Sequence, residues 1–146
     1  MEKILNTPFV EVIDISDEIP QTIYGHWKDC WLWENQDIAQ DIMDVFIPYI
    51  QNNNVKVLIS SHKDLEVVSV EYIDWIQQIL IPKCLEIGLY TEIIIGADDL
   101  MGEISLGLIY NDLQAELNGE KYLTPNVRTL NDAKALALKI VSEYKN

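Results

Sequence analysis

Few side chains in this sequence could do chemistry, and they are scattered. Ser60-Ser61-His62 sets two hydroxyls beside an imidazole, the raw material of a nucleophile and its base. A working pair needs a third group to orient the base, and no Gly-x-Ser-x-Gly elbow surrounds these residues. Adjacent residues seldom face one another in the required way, so the stretch reads as a polar loop, and no residue is assigned as catalytic. His26, His62, Asp98 and Asp99 are of the types that hold divalent metals. No two of them stand at a recognised ligand spacing such as His-x-x-x-His, so they read as two surface histidines and a helix-capping aspartate pair, with no metal site. Gly102 and Gly107 lie among apolar residues without a following Lys-Ser/Thr, which excludes a phosphate loop of that kind. No cofactor is implied.

Trp27, Trp31 and Trp33 are the least ordinary feature. Aromatic residues are enriched at binding hot spots, yet large aromatics also close the end of a core, with the indole N–H reaching a partner. Core packing is the heavier reading of the three. As candidate ligand- or partner-binding residues the sequence offers Trp27, Trp31, Trp33, His62 and Ser69. His62 lies with the loops at the carboxyl ends of strands, where ligands of parallel sheets gather.

Elements must position these groups. The chain has 146 residues, 49 % hydrophobic and 23 % charged, in the range of a globular domain. Residues 1–146 are expected to form one domain with its own core. Cys30 and Cys84 make no disulfide framework, and neither a signal core nor a bilayer-length apolar run is visible, so a cytoplasmic protein is expected. Acidic residues outnumber basic ones by 24 to 10, for a net charge of −14. Phosphate backbones and anionic lipid surfaces repel such a chain. Nucleic-acid and membrane partners are therefore excluded from the expectation. A protein with a basic surface suits the charge, and a second copy of the chain is the alternative partner.

Phe9 to Ile15 and Thr22 to Trp27 read as a strand hairpin across Ser16 to Pro20. Glu34 to Asn52 reads as a helix with Asn35 as N-cap and an inner face of Ile38, Ile42, Val45, Phe46, Tyr49 and Ile50. Val55 to Ile59 reads as a buried strand. Ser69 caps a second helix whose inner face is Ile73, Ile76, Leu80, Cys84 and Ile87, closed by Gly88. Pro48 and Pro82 each continue the polar line of their helix and are expected on exposed faces. Tyr90 to Gly96 is a strand, Leu100 to Leu117 a helix closed by Asn118-Gly119, Tyr122 to Val127 an edge strand. A final helix follows Thr129. No repeats are apparent. The expectation is an α/β fold, a mostly parallel five-stranded sheet with an N-terminal hairpin and alternating helices.

This order resembles the SpoIIAA-like (STAS-like) family of small bacterial domains, from about Phe9 to the last helix. The residues that carry the resemblance are Ser69-Val70-Glu71-Tyr72-Ile73-Asp74-Trp75, Leu80-Ile81-Pro82 and Gly88-Leu89 before Ile93-Ile94-Ile95. Val127-Arg128-Thr129-Leu130-Asn131-Asp132-Ala133 is similar to the family's last strand and helix start. The resemblance implies a β-α superhelix used for regulation or binding, without catalysis. Ser69 falls where the anti-sigma-factor antagonist branch carries its phosphorylatable Ser. Val68 stands in place of the Asp before it, and Val70-Glu71 in place of the Gly after it. The looser branch of the family is the closer match.

Overall fold

The computed structural model describes residues 2–28, 36–66 and 68–144. Three antiparallel strands open it: β1 (Glu2–Asn6), β2 (Val10–Asp14) and β3 (Thr22–Trp27). Helix α1 (residues 36–52) leads to β4 (Val57–Ser61), and helix α2 (residues 70–86) to β5 (Thr91–Ile95). Helix α3 (Leu100–Tyr110) is followed by a short pair, β6 (Glu116–Leu117) and β7 (Glu120–Lys121), then β8 (Asn126–Val127) and α4 (Leu130–Glu143). The main sheet has the order β1-β2-β3-β4-β5-β8, parallel from β3 onward. The fold is thus α/β with a mostly parallel sheet and an antiparallel N-terminal hairpin.

The sheet has six strands rather than the expected five. The additional one, β1, lies at the edge, is largely polar and carries a bulge between Lys3 and Leu5. It has no clean alternation to announce it. Thr7 makes its turn: the hydroxyl accepts from the backbone N–H of Val10 at 3.0 Å and of Phe9 at 3.1 Å.

Alternation along the strands sorts two apolar clusters onto the two faces. Val12, Ile23, Trp27, Leu58 and Ile94 meet α1, α2 and α3 on one face. Val57, Ile59, Ile93 and Ile95 meet Ala133, Ala137 and Val141 of α4 on the other. At Gly102, α3 presses onto the loop after β4 so closely that a Cβ would lie 2.0 Å from the Leu65 carbonyl oxygen.

Helices α1 and α2 share an unexpected feature. Each has a π turn in its middle, Ile42–Phe46 and Ile76–Leu80, directly before Ile47-Pro48 and Ile81-Pro82. The N–H of Ile47 reaches back five residues to the Ile42 carbonyl, and that of Ile81 to Ile76. A proline in an α-helix removes a donor and its ring strikes the carbonyl four residues earlier. The wider turn accommodates it. The extra residue also shifts the helical phase. Buried positions run Ile42, Phe46, Ile47, Ile50 and Ile76, Leu80, Ile81, Cys84, Leu85, and Val45, expected inside, is 41 % exposed. Pro82 is exposed as expected, whereas Pro48 is only half-exposed. The two helices match at a spacing of 34 residues, a likeness that the sequence pattern alone did not reveal.

Helix ends follow their caps. Ser69, Asp99 and Thr129 each accept a backbone N–H at 3.1 Å, from Tyr72, Gly102 and Asp132. Gly88 at φ +92° ends α2, with the N–H of Leu89 reaching the Cys84 carbonyl at 2.9 Å. The expected helix Leu100 to Leu117 stops at Tyr110. Asn118 and Gly119, at φ +53° and +84°, instead form the tight turn of the β6–β7 hairpin. The expected strand Tyr122 to Val127 is reduced to β8 and a single bridge, Thr91 to Leu123. Among the described residues no helix is long and apolar enough to cross a membrane.

Candidate functional site

Parallel pairing sets Gly25 beside Ser60 and Leu58 beside Glu92. Because alternate residues share a face, Trp27, Ser60 and Glu92 point together into the three-helix side of the sheet. There they meet Tyr110 from the end of α3 and Tyr122 from the segment after β7. The Glu92 carboxyl accepts from all three nearby hydroxyls: Oε2 from Ser60 at 2.6 Å and Tyr110 at 3.1 Å, Oε1 from Tyr122 at 2.8 Å. The Trp27 indole N–H donates to Ser60 Oγ at 3.1 Å. Gly25 leaves room for that indole, since a Cβ there would lie 3.2 Å from Trp27 Nε1.

His62 completes the cluster from outside the carboxyl's reach. Its ring stacks on Trp27 with centroids 6.5 Å apart and meets the edge of Tyr110 at 6.1 Å. It is 1 % exposed, and Nδ1 has no hydrogen-bond partner. The expectation of two surface histidines is therefore corrected: a stacked ring between aromatics is buried, while half-exposed His26 bonds Asp64 at 2.7 Å.

Burial dominates the electrostatics. It pushes the Glu92 carboxyl above the usual carboxylate range, opposed by the hydrogen bonds from Ser60, Tyr122 and Tyr110. Burial holds the His62 imidazole down to about 3, so the ring is neutral at neutral pH. Burial also raises the Cys84 thiol, and the nearby Glu92 adds to the effect, which keeps the sulfur protonated and inert.

The arrangement ties β3, β4, β5, α3 and the Tyr122 segment to one carboxyl. Ser60, His62 and Glu92 are 0 %, 1 % and 4 % exposed, so a substrate does not reach them. The Ser60 hydroxyl donates to Glu92, and Ser61 points to the opposite face, so Ser60-Ser61-His62 is not assembled as a nucleophile and base. Ser60 and Ser61 also belong to β4 rather than to a loop. Among the described residues, no three His, Cys, Asp or Glu side chains converge as a metal site would require.

Of the residues singled out from the sequence, the structure brings Trp27 and His62 together and leaves Ser69 apart as the cap of α2. Trp31, Trp33 and the Asn35 cap lie outside the described residues. Glu92, Tyr110 and Tyr122 were not anticipated. The available signal was a single Glu in the otherwise uncharged strand Thr91–Ile95, since a charge on a strand buried on both faces demands partners. Comparison of the chain with family models, with curated proteins and with solved structures finds no match.

Proposed function

We propose that this chain is a non-catalytic regulatory or protein-interaction domain of the STAS-like type, acting in the cytoplasm on a partner with a basic surface. The observation that carries the reading is a division of labour among side chains. Ser60 and Glu92 are sealed inside and bonded to each other and to Tyr122, with His62 buried beside them, while Leu100, Met101, Ile104 and Leu108 of α3 stand in solvent. The strand order supports it as well. From β3 to β8 the parallel strands follow one another without reversal, as in a β-α superhelix, so this part of the sheet has no switch-point crevice of the kind that holds nucleotides. Ser69 fits the role of cap better than that of switch, since its hydroxyl already serves the helix start.

A second reading has one observation in its favour. The unpartnered Nδ1 of His62, beside Trp27, suits the one hydrogen-bonding group of a small apolar ligand that enters this end of the core. Native mass spectrometry of the chain purified gently from its host separates the two. The proposal expects the bare chain or a chain with a protein attached. A stoichiometric small molecule would overturn it in favour of the second reading.

A further inference from the structure

We propose that the outward face of α3 is the docking surface for a basic amphipathic helix of a partner protein, an inference that rests on the interaction reading above. Helix α3 already buries one side, through Gly102, Ser105, Leu106 and Ile109. Its other side carries Leu100, Met101, Ile104 and Leu108, which are 73 %, 50 %, 48 % and 63 % exposed. These positions recur at helical spacing and form one stripe along the helix. A helix that is apolar on both sides belongs between two layers, and among the described residues only one layer covers α3. The contrast is α4, where the exposed Leu130 and Leu138 stand two turns apart with no apolar stripe between them.

Charge selects the occupant. Between Lys63 and Lys121 the only basic residue is Lys83, and it pairs with Glu86 at 3.3 Å. The stripe is bordered instead by Asp98, Asp99 and Glu103 at its start and Asp112 beyond its end, all exposed. A groove of about 500 Å³ runs beside it, lined by Glu103, Ile104, Gly107, Leu108, Asn111 and Asp112. The Asn111 amide fills the space beside Gly107, 3.0 Å from where a Cβ would lie, so the groove floor is polar at that point. Asp112, and Glu103 beyond the bond that it accepts from the Ala97 N–H, offer carboxylates to Lys or Arg on either side. A second copy would set acid against acid, at a net charge of −14 per chain. An anionic membrane is repelled for the same reason.

The test is an NMR titration of the ¹⁵N-labelled chain with a synthetic Leu/Lys peptide of about five helical turns. A peptide of the same composition, scrambled so that its apolar face is lost, is the control. The expected result is amide shifts confined to residues 100–112, with about tenfold weaker binding of the scrambled peptide. Ile104→Gln with Leu108→Gln should weaken binding about tenfold, while Leu138→Gln on α4 leaves it unchanged. Asp112→Lys, at an exposed position, should weaken it even if the double variant folds poorly. Equal affinity for both peptides, or shifts centred away from α3, would overturn the proposal. So would a wild-type dimer in light scattering that Ile104→Gln with Leu108→Gln dissolves, since the occupant would then be a second copy. A native partner that cross-links elsewhere on the chain removes only this docking face. A retained small molecule in native mass spectrometry removes the interaction reading beneath it.

Discussion

Glu92→Gln keeps the size of the side chain and disturbs the point on which three hydroxyls converge. Ser60 and Tyr110 donate to one carboxyl oxygen and Tyr122 to the other. An amide offers one oxygen and an NH₂ group that only donates. Turned with its oxygen toward Ser60 and Tyr110, the Gln sets its NH₂ against the Tyr122 oxygen, which can accept from it, but the Tyr122 proton loses its acceptor. Turned the other way, it takes the Glu92 acceptor from both Ser60 and Tyr110. Relative to an ionised carboxyl that accepts all three bonds, the better placement forfeits about 1–3 kcal/mol of hydrogen bonding, and the cost of burying that charge opposes this. The pH dependence carries more information. Burial raises the folded-state pKa of Glu92 above its ordinary value of 4.5, so the native state holds this proton more tightly than the unfolded chain does. Its contribution is fully present below the unfolded value and is lost as pH rises through the folded one, with a slope of up to about 1.4 kcal/mol per pH unit. Gln does not titrate. The deficit of the variant relative to wild type should therefore be largest in acid and narrow as pH rises. Urea unfolding followed by tryptophan fluorescence, run on both proteins from roughly pH 4 to 8, measures that difference while the other carboxylates cancel. A deficit that widens with pH would refute the reasoning, because the hydroxyls would then outweigh burial and hold the folded pKa down.

The remaining predictions concern His62, Gly102 and Ser69. His62→Phe keeps the stacking and removes a ring that stays neutral to about 3 in the fold, against 6.5 in the open chain. Such a group adds stability above pH 6.5 that is lost as pH falls, so the variant should lack a component of acid destabilisation of up to about 1.4 kcal/mol per pH unit below that point; identical acid profiles of the two proteins would count against it. Gly102→Ala should cost several kcal/mol, on the order of 3 or more, because its Cβ would meet the Leu65 carbonyl at 2.0 Å; a melting temperature equal to wild type would show that this contact is not made. Ser69→Val should cost about 1 kcal/mol through loss of the α2 cap, and Ser69→Asp, itself a good cap, should cost little in thermal unfolding.

Much of the architecture is legible in the residues. The alternation of apolar strands with helical periodicity follows from what a parallel sheet buries, and the starts at Ser69 and Thr129 are marked by side chains whose oxygen serves a free N–H. What escapes reading is set by other forces. The π turns answer Pro48 and Pro82, yet a periodicity of 3.6 assumes that no residue is inserted, so Val45 is assigned to the wrong side. The Asn118-Gly119 pair is both a helix stop and a hairpin turn, and only the pairing of Glu116 with Lys121 decides between them. For the site, Trp27 and His62 are visible as residue types. Their joining to Glu92, Tyr110 and Tyr122 is a long-range event between β3, β4, β5 and two later segments, with no local signal beyond one Glu in an apolar strand.

The central claim is that this chain engages macromolecules on its surface while its polar cluster serves the fold. The most direct test adds, to separate samples of the ¹⁵N-labelled protein, the low-molecular-mass and the macromolecular fractions of a host extract. The resonance to follow is the Trp27 indole N–H, buried and bonded to Ser60, together with the amides of α3. The account predicts that the macromolecular fraction shifts or broadens surface amides and that the small-molecule fraction leaves Trp27 and His62 unmoved. A saturable shift of the Trp27 indole with the small-molecule fraction would contradict it.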